Sequence, residues 1–104
     1  MSSFIKALNK NDLPDKKGRC VELKGQRIAI FNVGGAFFAI EDSCTHAGAS
    51  LAEGYVLNNC AVECPWHGAR FDLQTGKVQS LPASEPVRIF PVRLQGDDLE
   101  VEVQ

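Results

Sequence analysis

The stretch that decides the reading runs from Cys44 to His67. It opens with Cys44-Thr45-His46-Ala47-Gly48-Ala49, continues through residues 50–63, and closes with Cys64-Pro65-Trp66-His67-Gly68. It is a C-x-H followed at a distance by a C-x-x-H. Each short segment supplies one thiolate sulfur and one imidazole nitrogen, and both histidines of the chain lie in them. Sulfur and imidazole together suit zinc or an iron–sulfur centre, whereas calcium and magnesium take oxygen ligands. Cys44, His46, Cys64 and His67 are therefore the candidate metal ligands.

The mixed pairing separates the two metals. Zinc sites with two Cys and two His usually draw a Cys pair from one segment and a His pair from another. Here each segment mixes its donors, and Cys44 and His46 are separated by a single residue. A two-iron, two-sulfide cluster with cysteine on one iron and histidine on the other is met if each loop sends its Cys to one iron and its His to the other. The flanks, CTHAGASLAEG and CPWHGARFDLQTGKV, resemble the two cluster loops of Rieske proteins, and the resemblance extends through most of the chain. A structural zinc site remains the alternative at this point.

Working outward, 104 residues make one domain, and an apolar content of 44% allows a small core. A metal site would then help to hold the loops. The net charge is -2, with 13 acidic and 11 basic residues interspersed. There is no basic stripe of the kind that nucleic-acid binding requires. The Met1-Ser2-Ser3 start shows no basic segment followed by an apolar run, and no stretch approaches the ~20 apolar residues of a membrane helix. The expected compartment is the cytoplasm, and the expected state is a monomer. In that setting four cysteines point to metal ligation rather than to a disulfide framework. Cys20 and Cys60 lie outside the ligand pattern, each in an expected strand, and read as small buried hydrophobes.

The rest of the chain reads as short strands and turns. Phe4–Leu8 makes a first strand, and the polar stretch from Asn9 to Gly18 holds a turn at Asn11-Asp12-Leu13-Pro14 rather than a long helix. Arg19–Leu23, Arg27–Val33 and Ala36–Ile40 form an antiparallel meander turning at Lys24-Gly25-Gln26 and Gly34-Gly35. Tyr55–Leu57 and Cys60–Glu63 form a hairpin around Asn58-Asn59 that delivers the second ligand pair. Phe71–Leu73 and Lys77-Val78 form another around Gly76, and Ser80–Pro86 is a loop. Arg88–Gln95 and Leu99–Val103 close the chain as a hairpin around Gly96-Asp97-Asp98. This predicts an all-β fold, an antiparallel β-sandwich or partly open barrel as base, with a smaller metal-binding lobe over residues 42–80. Both ligand pairs sit at loop tips, where rigid placement and solvent access coincide.

The Rieske resemblance adds further expectations. Cys44 and Cys64 bind one iron of a [2Fe-2S] cluster and His46 and His67 the other. A proline-containing third loop, resembled by Leu81-Pro82-Ala83, covers it. The histidines at the tip form the electron's exit path. Trp66 either shields the cluster, meets a partner or packs on its own loop. Respiratory members carry an extra cysteine in each loop, and the two form a disulfide; Ala49 and Trp66 stand there in this chain. Those members also place serine and tyrosine hydroxyls near the cluster, where this chain has Ala69 and Phe71. Fewer hydrogen bonds to the cluster imply a low potential. With no anchor helix, the chain resembles the ferredoxins of multicomponent ring-hydroxylating oxygenases. It would receive electrons singly from a flavoprotein NAD(P)H reductase and pass them to a terminal oxygenase, without being an enzyme itself.

Three rivals stay in view. One is a small Rieske-like subunit of a nitrite reductase complex, another a structural zinc module, and the third an excised oxygenase domain, although the chain's close on an alternating strand makes a complete protein the simpler expectation. Glu41, Asp42, Glu53 and Glu63 are expected as surface acids near the ligand loops, solvating loop ends or facing a basic partner.

Overall fold

The computed structural model of the chain describes residues 3–43, 50–65, 68–80 and 85–103. Among these residues eleven strands follow one another: β1 (Ser3–Asn9), β2 (Gly18–Leu23), β3 (Gln26–Val33), β4 (Ala36–Glu41), β5 (Tyr55–Leu57), β6 (Ala61–Glu63), β7 (Arg70–Asp72), β8 (Val78–Ser80), β9 (Ile89–Phe90), β10 (Val92–Gln95) and β11 (Asp98–Val103). Single 3-10 turns at Lys10–Asp12 and Leu51–Glu53 are the helical elements among the described residues.

The strands form three antiparallel sheets, ordered β1-β11-β10, β2-β3-β4-β9 and β5-β6-β7-β8. The middle sheet is the organising layer, and β3 shows why. Its centre, Ile28-Ala29-Ile30-Phe31, is a continuous apolar run rather than an alternation, the pattern of a strand covered on both faces. Ile28, Ala29, Ile30 and Phe31 are all fully buried. Because successive side chains point to opposite faces, Ile28 and Ile30 join one core with Leu8, Ala39, Leu99, Val101 and Val103. Ala29 and Phe31 join the other, with Ile40, Leu51, Val62, Cys64, Ala69 and Phe71. The first core is the β-sandwich base. The second carries the sheet β5–β8, which holds the second donor segment. By contrast, β11 alternates cleanly, with Leu99, Val101 and Val103 buried between half-exposed polar neighbours.

The chain's ends meet in the base, Ser3 opposite Val103 and Asn9 opposite Asp98. The meander β2-β3-β4 is in register as expected, with both residues of the Gly34-Gly35 turn at positive φ. Two expectations need correction. Arg88–Gln95 is not one strand: Pro91, which lacks an N–H, interrupts it. Before the interruption β9 pairs with β4, and after it β10 pairs with β11, so this segment passes from one sheet to the other. Cys60 lies not in a strand but in the turn before β6, at φ 61°. Buried Asn32 pins the polar segment after β1 to the meander. Its Nδ2 donates to the Leu13 carbonyl at 2.8 Å, and its Oδ1 accepts the Gly35 N–H at 2.9 Å.

Candidate metal centre

The first donor segment leaves the base at the end of β4. Phe38 and Ile40 face the second core, and the same alternation carries Asp42 inward, to 1% exposure. Its carboxylate is satisfied throughout. Oδ1 accepts the Ser50 hydroxyl at 2.8 Å and the Ala52 N–H at 3.0 Å, while Oδ2 pairs with Arg27 Nη2 at 3.1 Å. An isolated antiparallel bridge joins Ser43 to Ser50. The segment carrying Cys44 and His46 is thus fastened at both ends; these two expected ligands, with Ala49, lie outside the described residues.

The second donor segment is the connection of the β6–β7 hairpin. Glu63 pairs with Arg70 in register, and their side chains meet at 2.9 Å. Cys64 follows at once, 1% exposed, and its N–H donates to the Ala69 carbonyl at 2.7 Å. That bond closes the loop, and Gly68 takes the positive φ, 74°, that the return requires. Trp66 and His67 lie outside the described residues, as does the expected covering loop at Leu81-Pro82-Ala83.

The structure brings the bases of the two segments together. Leu51, which follows the first, and Cys64, which opens the second, are buried in the same core with Val62, Ala69 and Phe71. Gly54 allows the approach: a Cβ there would collide with the Glu63 carbonyl oxygen and lie 3.2 Å from Val62 Cγ2. The local chemistry fits the soft-donor group that the sequence implies. Cys64 offers a sulfur at the root of the second segment, the ligand type that zinc or an iron–sulfur centre takes. Ala69 and Phe71 are both fully buried in that core and carry no side-chain hydrogen-bond donor.

Of the remaining cysteines, Cys20 lies in β2 and Cys60 in its turn, both half-buried. Burial is the main cause that pushes each thiol above its ordinary pKa; an Arg27 hydrogen bond partly offsets it at Cys20, and the Asp72 charge adds to it at Cys60. The acids expected at the surface prove unequal. Glu53 is exposed, but Glu41 accepts the Arg88 N–H at 2.8 Å, Glu63 pairs with Arg70, and Asp42 is buried. The expectation that Asp42 is a surface acid is therefore wrong. The signal for it was present in the i, i+2 series Phe38, Ile40, Asp42, which puts the carboxylate on the buried face.

A family model for the Rieske [2Fe-2S] domain matches residues 3–91, and the chain belongs to that family. It is 42% identical over 100 residues to the ferredoxin subunit of a biphenyl dioxygenase from Pseudomonas sp. strain KKS102, covering 96% of this chain and 92% of that one. It is 49% identical over 76 residues to the ferredoxin subunit of 3-phenylpropionate/cinnamic acid dioxygenase from Escherichia coli K12, covering 73% and 72% of the two chains. Among solved structures, the ferredoxin of carbazole 1,9a-dioxygenase from Nocardioides aromaticivorans IC177 superposes with a TM-score of 0.91 at 28% identity, over 95% of this chain and 96% of that one.

Proposed function

We propose that the chain is the ferredoxin component of a ring-hydroxylating dioxygenase system, a one-electron carrier between a flavoprotein NAD(P)H reductase and a terminal oxygenase. The observation that carries this reading is its similarity, over nearly the whole length, to a dioxygenase ferredoxin subunit. Hydroxylation itself then belongs to the partner, and this chain is not an enzyme. The lobe over residues 42–80, set into the β-sandwich base, is the part that carries the metal group. The protein works as a cytoplasmic monomer; no helix of the described residues is long and apolar enough to cross a membrane.

The residues that would hold the [2Fe-2S] cluster are Cys44 and Cys64 on one iron and His46 and His67 on the other. When bound, that group supplies a couple that gains and loses one electron. The chain's own part is to bury Cys64, to exclude water with Leu51, Ala69 and Phe71, and to withhold side-chain donors at positions 69 and 71. A site poor in donors stabilises added negative charge weakly, which favours a low potential.

An EPR-monitored redox titration repeated across pH tests the reading. The expected result is a Rieske-type signal with a low midpoint, nearly independent of pH around neutrality. A high midpoint that falls with pH near neutrality would place the chain with quinol-oxidising members instead. A colourless protein holding zinc would remove the electron-carrier function altogether.

A further inference from the structure

Asp42 is the one charged side chain buried among the described residues. Its bonds span the first donor segment. The backbone carbonyl of residue 42 accepts the Leu51 N–H at 2.7 Å, and the carboxylate Oδ1 takes the Ser50 hydroxyl and the Ala52 N–H. On the entry side, the Asp42 N–H donates to the Arg27 carbonyl at 3.1 Å. Oδ2 pairs with the Arg27 guanidinium at 3.1 Å. The residue before the segment and the residues after it are therefore fastened to each other and to the rigid meander. With the Ser43–Ser50 bridge, these bonds form a closed neck beneath residues 44–49.

A buried carboxylate is costly unless its oxygens are satisfied, so such an arrangement holds only with its partners in place. The neck has a direct consequence for the donors above it. A loop closed at its base explores fewer arrangements, which keeps a donor pair at the separation a metal needs. Residues that orient ligands from behind in this way govern metal affinity strongly.

We infer that Asp42 is a positioning residue for the metal centre. By holding Ser50 and Ala52 against the end of β4, it keeps the neck closed at the two ends of the segment that carries Cys44 and His46, and so sets how long the chain retains its metal. The inference rests on Cys44 and His46 being ligands.

The test is metal release from the holoprotein to 4-(2-pyridylazo)resorcinol, which reports iron and zinc alike, with elemental analysis of the starting protein. Asp42→Ala is expected to release metal about ten- to a hundredfold faster than the wild type. Asp42→Asn keeps an oxygen acceptor for Ser50 and Ala52 while losing the ion pair, whose Arg27 side is 62% exposed. It should stay within about fivefold of the wild type, the usual limit for such a pair. Should Asp42→Ala fail to fold, Ser50→Ala removes one neck bond, leaves the carboxylate paired, and is expected to accelerate release several-fold. Leu99→Ala, in the base core away from the neck, controls for general loosening. Amide exchange at Ala52, whose N–H is held by Oδ1, should quicken in Asp42→Ala and Ser50→Ala irrespective of the metal present.

Three results would overturn the inference. They are wild-type release in both neck variants, Asp42→Asn as leaky as Asp42→Ala, or Leu99→Ala as leaky as either neck variant at equal loss of thermal stability. Elemental analysis keeps the centre's identity separate: zinc in the wild type would refute the [2Fe-2S] reading, while the release rates would still decide the role of Asp42.

Discussion

Gly54 lies directly against the backbone carbonyl of Glu63, with no room for a Cβ between them. This contact joins the exit of the first donor segment to the residue that precedes Cys64. Its backbone, at φ -79°, is open to any residue, so the requirement for glycine is one of space alone. Gly54→Ala should push the two segments apart and destabilise the holoprotein by about 1–3 kcal/mol. Gly25 is the contrast: nothing lies within 4 Å of its Cβ position, but its φ is 76°. Gly25→Ala should cost about 1–2 kcal/mol through the left-handed backbone. Thermal unfolding with iron analysis separates them, since only Gly54→Ala should also lower the iron content.

Ala69 and Phe71 pack in the same core as Cys64. Introducing donors there, as Ala69→Ser with Phe71→Tyr, is expected to raise the midpoint potential. A net hydrogen bond of about 0.5–1.5 kcal/mol in favour of the reduced form corresponds to about 20–60 mV per bond for one electron. Redox titration of the double variant reads this directly, and an unchanged or lowered midpoint would count against the account of the low potential.

The raised thiol pKa values of Cys20 and Cys60 define a pH dependence. In both, the fold favours the protonated thiol. That contribution to stability is fully present below the unfolded-chain value of about 8.5 and is lost as pH rises through the higher folded values. Iodoacetamide should therefore modify both thiols slowly at pH 8 and faster as pH rises, with thermal stability falling over the same interval. Mass spectrometry of digested holoprotein gives the rate at each cysteine, and alkylation as fast as in an unfolded peptide would contradict the burial.

Metal removal should act unevenly. The strands β5, β6, β7 and β8 are each three residues long, at the short end of the usual range. The base has longer strands and its own core. Chelation is expected to accelerate amide exchange in β6 and β7 while leaving β3 and β11 protected. Equal acceleration in all four strands would mean that the protein unfolds as one unit without its metal.

The amino-acid sequence by itself determined the local features. The spacing of Cys44, His46, Cys64 and His67 singled out the candidate donors, and the two loops that carry them pointed to the family that the chain belongs to. Short apolar runs between Gly, Asn and Pro marked nearly every strand, because strand and turn preferences are decided within a few residues. Tertiary structure decided whatever depends on pairing between distant segments. The split at Pro91 became visible only when β9 met β4 and β10 met β11. The two cores on either face of β3 emerged only when both of its faces were covered. Asp42 changed from a surface acid to the fastening of the first donor segment because Arg27, Ser50 and Ala52 converge on it. Alternation along β4 assigns the face of that carboxylate, but a buried charge is tolerated only when its partners arrive, and those partners come from other parts of the chain.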